Sequence, residues 1–331
     1  LYIGGNNEIK APTAGYMLFA FYTKCTKINN LNLLNTSSTT GMRGFFYRLY
    51  ELESLDLSNF STASCTTTWD MFSDCKALTT LDVSNFDTSK LNYATYMFYG
   101  CMNVTNINLG NFVTTNVTNT SGMFYNCQKL TSVDVSTFDT SKVTNMSRMF
   151  SNCYVLKNLN LKNFNTSKVT NMSYMFSSTT SLLNLDLSSF NTASVTNMDS
   201  MLFNSSNLLS LLIGNNFDKL TGASMFRSCS KLKRIITPRT SISTLNADNT
   251  TTTGLKTLTN VILYVPTLDA ETTYESNAAY SDIFGSARIK PILELIGNNP
   301  RTIYQNMPYT DDGVTVAELY KNLDDTYTPF G

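Results

Sequence analysis

Apolar side chains recur along this chain with a period of 26 residues. Each repeat carries a Met–Phe or similar pair, and the first residue of that pair falls at Met71, Met97, Met123, Met149, Met175 and Met201. Phe45 and Met225 hold the same place upstream and downstream, and Phe21 is taken as an earlier copy because Cys25 then falls into register. Self-similarity at such a period predicts about nine stacked units between residues 21 and 237.

Two apolar positions of each repeat alternate with polar neighbours, as in LTTLDVSNF at 78–86. The first lies ten residues after the repeat methionine, at Leu55, Leu81, Ile107, Val133, Leu159, Leu185, Leu211 and Ile235. The second lies two residues further on, at Leu57, Val83, Leu109, Val135, Leu161, Leu187 and Ile213. Alternation with a period of two predicts a strand with one buried face.

A second segment of each repeat has a different spacing, as in VTNMSRMFSNC at 143–153. Met146, Met149, Phe150 and Cys153 lie at i, i+3, i+4 and i+7, which predicts a short helix or 3₁₀ segment with one apolar face. Thr144 or Asn145 is expected to cap its start. Because one unit cannot bury its own apolar face, stacked units must bury it against each other, and the chain is predicted to form a solenoid.

The cysteines follow the repeat. Cys25, Cys75, Cys101, Cys127, Cys153 and Cys229 lie four residues after the first residue of the pair, and Cys65 takes a place that other repeats give to Val. Neighbouring cysteines such as Cys75 and Cys101 are close enough for a disulfide, but parallel side chains in register point alike. A column also cannot converge on one zinc ion. All seven are therefore predicted to be small buried side chains, with no metal.

The composition of the chain excludes several classes of function. The chain contains no histidine, which removes Ser-His-Asp and Cys-His catalysis and histidine metal sites. It has 24 basic and 24 acidic residues, so no net field favours nucleic acid. No apolar run of about 18 residues is present to span a membrane. The abundance of Ser, Thr and Asn favours an extracellular protein, and the opening residues 1–16 indicate the interior of a longer one.

The repeated string L-x-x-L-D-L-S-x-F-[DN]-T-S-x-V-T-N-M-S-x-M-F-x-x-C stands nearly whole at 130–153 and 156–176. It resembles the BspA-like leucine-rich repeat family of bacterial surface proteins. The resemblance covers 21–237 and implies an α/β, right-handed leucine-rich-repeat solenoid with parallel strands on its inner face. It also implies a cell-surface or secreted location and adhesion to host matrix or other bacteria, and it identifies no ligand.

Four regions are expected. Residues 1–20 form a lead-in, 21–237 the solenoid, and 238–292 a C-terminal cap in which a strand is followed by a helix. Residues 293–331 resemble the opening strands of an Ig-like bacterial surface module. Because such a sandwich needs about 100 residues, this module is incomplete here, or the segment packs on the cap as a tail.

The candidate site is the column eleven residues after the repeat methionine, on the polar side of the strand. It comprises Asp56, Asp82, Asn108, Asp134, Asn160 and Asp186. This polar strip is either a solvated sheet face or a ligand-binding strip on the inner surface of the solenoid. Repeated threonines such as Thr62 and Thr166 suggest an ice-binding array, but hydroxyls that satisfy turn backbone explain them better.

Asp56 and Asp82 are expected about 5 Å apart, as in a retaining glycosidase, but a pair produced by a repeat is a poor catalytic signal. The sole tryptophan, Trp69, lies in the return segment and not beside them. We therefore predict a monomeric, non-enzymatic, adhesin-like protein without a cofactor. Its partner is expected to be a protein or glycan of host matrix or other bacteria, and the alternative is a passive stalk or spacer.

Overall fold

The structure is a computed structural model that describes residues 1–4, 8–220, 222–242, 244–245, 260–284 and 288–292 of the chain. Over these residues the backbone forms a parallel-strand β-solenoid of about ten turns. Successive turns are joined by backbone hydrogen bonds between equivalent residues: the Thr66 N–H donates to the Thr40 carbonyl at 2.8 Å, and the Asn92 N–H to Thr66 at 2.9 Å. Each 26-residue repeat is thus one turn, as predicted.

The structure contains eleven short strands in its described residues, several of them at the predicted alternating positions. They are β1 (Ile9–Lys10), β2 (Leu34–Asn35), β3 (Thr80–Asp82), β4 (Asn106–Asn108), β5 (Asn184–Leu187), β6 (Ser210–Ile213), β7 (Lys219–Leu220), β8 (Arg234–Ile236), β9 (Thr244–Leu245), β10 (Ile262–Val265) and β11 (Ile289–Pro291). All described pairings are parallel. In β3 and β4 the middle residue is buried and its neighbours are exposed, which confirms the predicted alternation.

The strands lie in separate ladders. β1 pairs with β2, β3 with β4 and β7 with β9, and a five-stranded sheet has the order β11-β10-β8-β6-β5. The register is the repeat itself, since Leu81 lies opposite Ile107 and Leu185 opposite Leu211. A further column of isolated parallel bridges joins the return segments, from Gly41 through Thr67, Tyr93, Asn119, Asn145 and Asn171 to Asn197.

The return segments are runs of turns, so the predicted short helix or 3₁₀ segment does not form there. The Met123 N–H donates to the Thr120 carbonyl three residues back at 3.1 Å, whereas the Phe124 N–H donates to Met149 of the next turn at 2.9 Å. A helix would direct both bonds within its own segment. Left-handed backbone also interrupts the segment, with φ of 57° at Arg148 and 59° at Asn152.

The apolar face of the return segment is nonetheless the predicted one, since Met146, Met149, Phe150 and Cys153 are fully buried. Helices among the described residues are the 3₁₀ segment Leu31–Leu33, α1 (Leu268–Ser276) and α2 (Ala278–Phe284). Helix content is therefore low. The right-handed leucine-rich-repeat class remains a prediction.

Two columns of phenylalanine fill the core. The first consists of Phe46, Phe72, Phe98, Phe124, Phe150 and Phe176, whose neighbouring rings stack with centroids 5.5–5.8 Å apart. The second is Phe60, Phe86, Phe112, Phe138, Phe164 and Phe190, and all six are buried. Each buried ring contributes roughly 1.5–3 kcal/mol, so these columns hold one turn to the next.

Cysteines at 75, 101, 127 and 153 form a third buried column, as predicted. Each thiol donates to a carbonyl of the preceding turn, with Cys101 Sγ 3.2 Å from the Phe72 oxygen and Cys127 Sγ 3.1 Å from that of Phe98. Burial raises the pKa of Cys101 to about 12. All seven thiols of the chain are free.

Cys25 does not join this column, which corrects the predicted register of the first turn. Its side chain is partly exposed and its thiol donates to the Lys27 carbonyl at 3.2 Å. Phe19 stacks on Phe46 at 5.6 Å, whereas Phe21 is exposed. The first turn is 27 residues long, from Phe19 to Phe46, so counting back by a shorter spacing chose the wrong phenylalanine.

The C-terminal end has the predicted strand followed by a helix. β10 leads into α1, whose first turn is capped by Thr267 Oγ1 accepting the Ala270 N–H at 3.2 Å. The Tyr280 hydroxyl, on α2, donates to the Ile242 carbonyl at 2.7 Å and holds the helices against the turn after β8. The predicted Ig-like segment 293–331 lies outside the described residues, and the four region boundaries remain predictions.

No helix in the described ranges is both long enough and apolar enough to cross a membrane.

Candidate functional site

The six residues of the predicted strip share one structural task. In each, a side-chain oxygen accepts the backbone N–H of the residue two positions later. The pairs are Asp56–Ser58 at 3.0 Å, Asp82–Ser84 at 2.9 Å, Asn108–Gly110 at 3.2 Å, Asp134–Ser136 at 2.9 Å, Asn160–Lys162 at 3.3 Å and Asp186–Ser188 at 2.8 Å. Asp and Asn side chains both make this turn readily, which explains why the column carries either of them.

Five of the six side chains are exposed, from Asp56 to Asn160. Hydrogen bonds from the hydroxyl and N–H of Ser136 lower the pKa of Asp134, and bonds from Ser84 lower that of Asp82. Asn108 Nδ2 donates to the second oxygen of Asp82 at 3.2 Å, across adjacent turns. The exposed strip therefore keeps its negative charges at neutral pH, with amides between some of them.

Asp186 does not lie on an exposed strip, which corrects its predicted place in the site. It is only 7% exposed, and its Oδ2 has no hydrogen-bond partner. Leu212, Ile236 and Tyr264 continue the same column on β6, β8 and β10, and all three are buried but outside the main core cluster. Leu212 stands where earlier repeats have Asp or Asn, and it too is buried and not exposed. The exposed strip ends at Asn160.

The repeated threonines serve the backbone, as predicted. Thr62 Oγ1 donates to the Asp87 carbonyl at 2.9 Å, and Thr166 Oγ1 to the Asn191 carbonyl at 2.8 Å. Both side chains are buried, so they do not form a flat surface array.

A groove in the first turns presents the aromatic side chains that the strip lacks. It has a volume of about 460 Å³ and is lined by Tyr16, Met17, Arg43, Thr66, Thr67, Trp69 and Tyr93. The exposed fractions of Tyr16, Trp69 and Tyr93 are 56%, 37% and 49%. The Arg43 guanidinium lies over the Trp69 ring, 4.1 Å from its centroid. This volume is within the range of roughly 300–1,000 Å³ that is typical of small-ligand sites.

Two columns of the repeat change character to build this groove. In later turns the bridge column is Asn119, Asn145, Asn171 and Asn197, and each side chain folds back onto the N–H two residues on. In the early turns that column is Gly41, Thr67 and Tyr93. The column two residues further on is Tyr16, Arg43 and Trp69, in place of Ser121, Ser147 and Ser173.

Gly41 makes the room that the groove requires. A Cβ at Gly41 would overlap ring carbon Cε1 of Tyr16, so the ring lies directly on the glycine backbone. The walls are held by backbone bonds between turns, with the Met42 N–H on the Thr67 carbonyl at 2.9 Å and the Gly44 N–H on Trp69 at 2.7 Å. The groove therefore results from different side chains on a backbone that follows the same path as in the later turns.

Sequence reasoning assigned Trp69 to the return segment and missed the groove. The available signal was that four successive turns, with Ala14, Gly41, Thr67 and Tyr93 in the bridge column, lack the Asn and Ser that the later turns place at these two columns. Within the described part of the chain, no group of three or more Cys, Asp or Glu side chains is placed to hold a metal ion.

The fold and these surfaces define a β-solenoid repeat protein with an exposed polar strand face and an aromatic groove. The chain belongs to the family described as "Mycoplasma protein of unknown function, DUF285", whose profile matches residues 16–134 and 123–238. No curated protein matches the chain.

Solved structures of two bacterial proteins are among those similar to this chain. One is a leucine-rich cell surface protein from Faecalibacterium prausnitzii A2-165, 14% identical, covering 94% of this chain and 89% of that one. The other is the pneumococcal vaccine antigen PcpA, 15% identical, covering 84% of this chain and 67% of that one. Both have a TM-score of 0.37, and at that score neither similarity defines a function for this chain.

Proposed function

We propose that this protein is a non-enzymatic repeat protein, displayed on or secreted from a bacterial cell, that binds a macromolecular ligand through the aromatic groove. The clustering of Tyr16, Trp69 and Tyr93 around Arg43 carries the proposal. Exposed aromatic rings cost solvation free energy and are not needed by the repeat, whose later turns place Asn and Ser at the equivalent positions. Aromatic and Arg side chains are also the residue types enriched in binding hot spots.

Three observations favour binding over catalysis. The Asp56 and Asp82 pair, whose spacing suggested a glycosidase, is committed to turns through Ser58 and Ser84. Hydrogen bonds lower the pKa of both carboxyls, whereas a glycosidase needs one carboxylic acid with a raised pKa. The absence of histidine removes the common nucleophile-activating base. We therefore propose no reaction for this protein.

An extracellular setting is part of the proposal. It is supported by the Ser-, Thr- and Asn-rich surface and by the resemblance of the repeat string to BspA-like surface proteins. The stacked turns form a rigid, elongated support in which each turn contacts its neighbours. Such a support presents the groove at a fixed place near the first turns.

The test is binding of the purified protein to a panel of matrix proteins, matrix glycans and partner bacterial cells. We expect saturable binding to one member, lost in Trp69→Ala/Tyr93→Ala. Phe21→Ala is the matched control, because Phe21 is equally exposed in the first turns but does not line the groove. Binding that survives the double substitution would contradict the groove as the site.

The strip from Asp56 to Asn160 is a second candidate surface. In its favour, its side chains are exposed, and its carboxylates stay ionised while one oxygen of each accepts a backbone N–H of the turn. Asp82→Lys/Asp134→Lys should then weaken binding, with the difference shrinking at high salt. No binding in either variant series or in the unaltered protein would favour the passive spacer.

A further inference from the structure

The side chains that line the groove match one class of ligand. Resting on the proposed function, we propose that the groove binds an acidic sugar unit of a glycan, with the pyranose ring against the aromatic side chains and its carboxylate on Arg43.

The charge of the groove is unbalanced. Among the seven lining residues Arg43 is the single charged side chain, and no carboxylate lines the groove with it. No described carboxylate forms an ion pair with Arg43. The positive charge of Arg43 favours the ionised form of Asp70, whose carboxylate accepts the Ser73 hydroxyl at 2.9 Å. The Arg43 guanidinium lies over the Trp69 ring, with its carbon 4.1 Å from the centroid, and the N–H groups of a guanidinium can hold a carboxylate in a bidentate fork.

The groove also combines apolar rings with hydroxyls. Tyr16 and Tyr93 each add a phenolic hydroxyl to an exposed ring. Thr67 Oγ1 accepts the backbone N–H of Trp69 at 3.4 Å, which leaves the Thr67 hydroxyl proton for a ligand oxygen. A sugar has the matching pattern, since its C–H faces pack on aromatic rings while its hydroxyls exchange hydrogen bonds around the edge.

The backbone of the groove does not favour a peptide strand as the occupant. Its N–H groups are bonded from turn to turn: Met42 to Thr67, Thr68 to Tyr93 and Gly44 to Trp69. A peptide that binds by strand addition needs an unpaired sheet edge, and this surface is the side of a continuous ladder.

Trp69 provides the measurement, because it is the sole tryptophan of the chain and lies in the groove. Its fluorescence should change saturably when the protein is titrated with a short oligogalacturonate. The methyl ester of the same oligosaccharide keeps the rings and loses the charge, and we expect it to bind at least about tenfold more weakly.

Two arginine variants distinguish binding in the groove from non-specific attraction of an acidic ligand to positive charge. Arg43→Gln should weaken oligogalacturonate binding at least about tenfold while leaving binding of the methyl ester unchanged. Arg148→Gln is the matched control, because Arg148 stacks on Tyr174 at 4.8 Å outside the groove. Its affinity for the acidic oligosaccharide should be that of the unaltered protein.

Equal affinity for the acid and its ester would overturn the assignment of an acidic ligand, and so would an Arg43→Gln variant that binds the acid normally. If oligogalacturonate fails but a panel macromolecule still needs Trp69 and Tyr93, the acidic-sugar inference falls and the proposed function stands. If neither oligogalacturonate nor any macromolecule of the panel binds, both the acidic-sugar inference and the proposed function are wrong.

Discussion

At the scale of the residue, the environment of a side chain in this solenoid is set by its place in the turn. The thiols of Cys75 and Cys153 each donate a hydrogen bond to a phenylalanine carbonyl of the preceding turn, and both side chains are buried away from solvent. Cys25 has a different place because the first turn is one residue longer, and it is partly exposed. The reactivity of the seven thiols should therefore differ sharply between these two environments.

We predict that one thiol of the native protein reacts quickly with a water-soluble thiol reagent at neutral pH. This thiol is Cys25, and the remaining six react when the protein is unfolded, because they are buried. Counting modified cysteines by mass spectrometry over time measures the two classes. Cys25→Ser should abolish the fast class, and a second fast thiol in that variant would show that the cysteine column is open to solvent.

At the scale of the element, the return segment shows how a helix-like spacing is met without a helix. Alternate N–H groups bond to the next turn, and residues one before and three after the repeat methionine adopt left-handed backbone. Ser200 is one of these residues, with φ of 56°, whereas Ser147 occupies a neighbouring column and has ordinary backbone. The same substitution at these two serines should have opposite effects.

We expect Ser147→Gly to lower the free energy of unfolding by about 0.5–1 kcal/mol, because glycine adds entropy to the unfolded chain. Ser200→Gly should cause no loss and up to about 1 kcal/mol of gain, since left-handed backbone costs an L-residue about 1–2 kcal/mol. Chemical denaturation measures both. A helix would lose similar amounts at both sites, so a loss of about 1 kcal/mol in Ser200→Gly would contradict the turn geometry.

At the scale of the whole molecule, two columns of Asp side chains link stability to pH. The pKa values of Asp56, Asp82, Asp87, Asp134 and Asp139 are all lowered in the fold by hydrogen bonds from a serine two residues later. A lowered folded pKa contributes stability that is present above the unfolded value of about 3.9 and is lost as the pH falls through the folded value. The solenoid should thus lose stability below about pH 4.

Substitution at Asp134 tests this linkage. Asp134→Asn keeps a side-chain oxygen for the Ser136 N–H, as Asn108 and Asn160 do in their own turns. Its stability should be close to that of the unaltered protein at pH 7 and should fall less on acidification. Asp134→Ala loses the turn bond and should be less stable at every pH, as measured by thermal unfolding across a pH series. An unchanged acid dependence in Asp134→Asn would remove this carboxyl from the linkage.

Several features of the protein were determined by its sequence alone. The 26-residue period, the alternating strand positions, the buried phenylalanines and most of the cysteine column follow from it, because each turn buries the same positions against its neighbours. The turn role of the strip was not foreseen, since Asp and Asn at one column suit either ligand binding or an Asx turn. The same spacing of apolar residues was likewise compatible with a helix and with a run of turns.

The tertiary structure decided the rest. Spacing within one repeat does not show whether an N–H bonds inside its segment or to the next turn, so the turn geometry emerged from the stacking. The burial of Asp186 and Leu212 depends on what surrounds a strand face, which periodicity does not report. The groove arises because Tyr16, Arg43 and Trp69, about one repeat apart in the sequence, become neighbours when the turns stack.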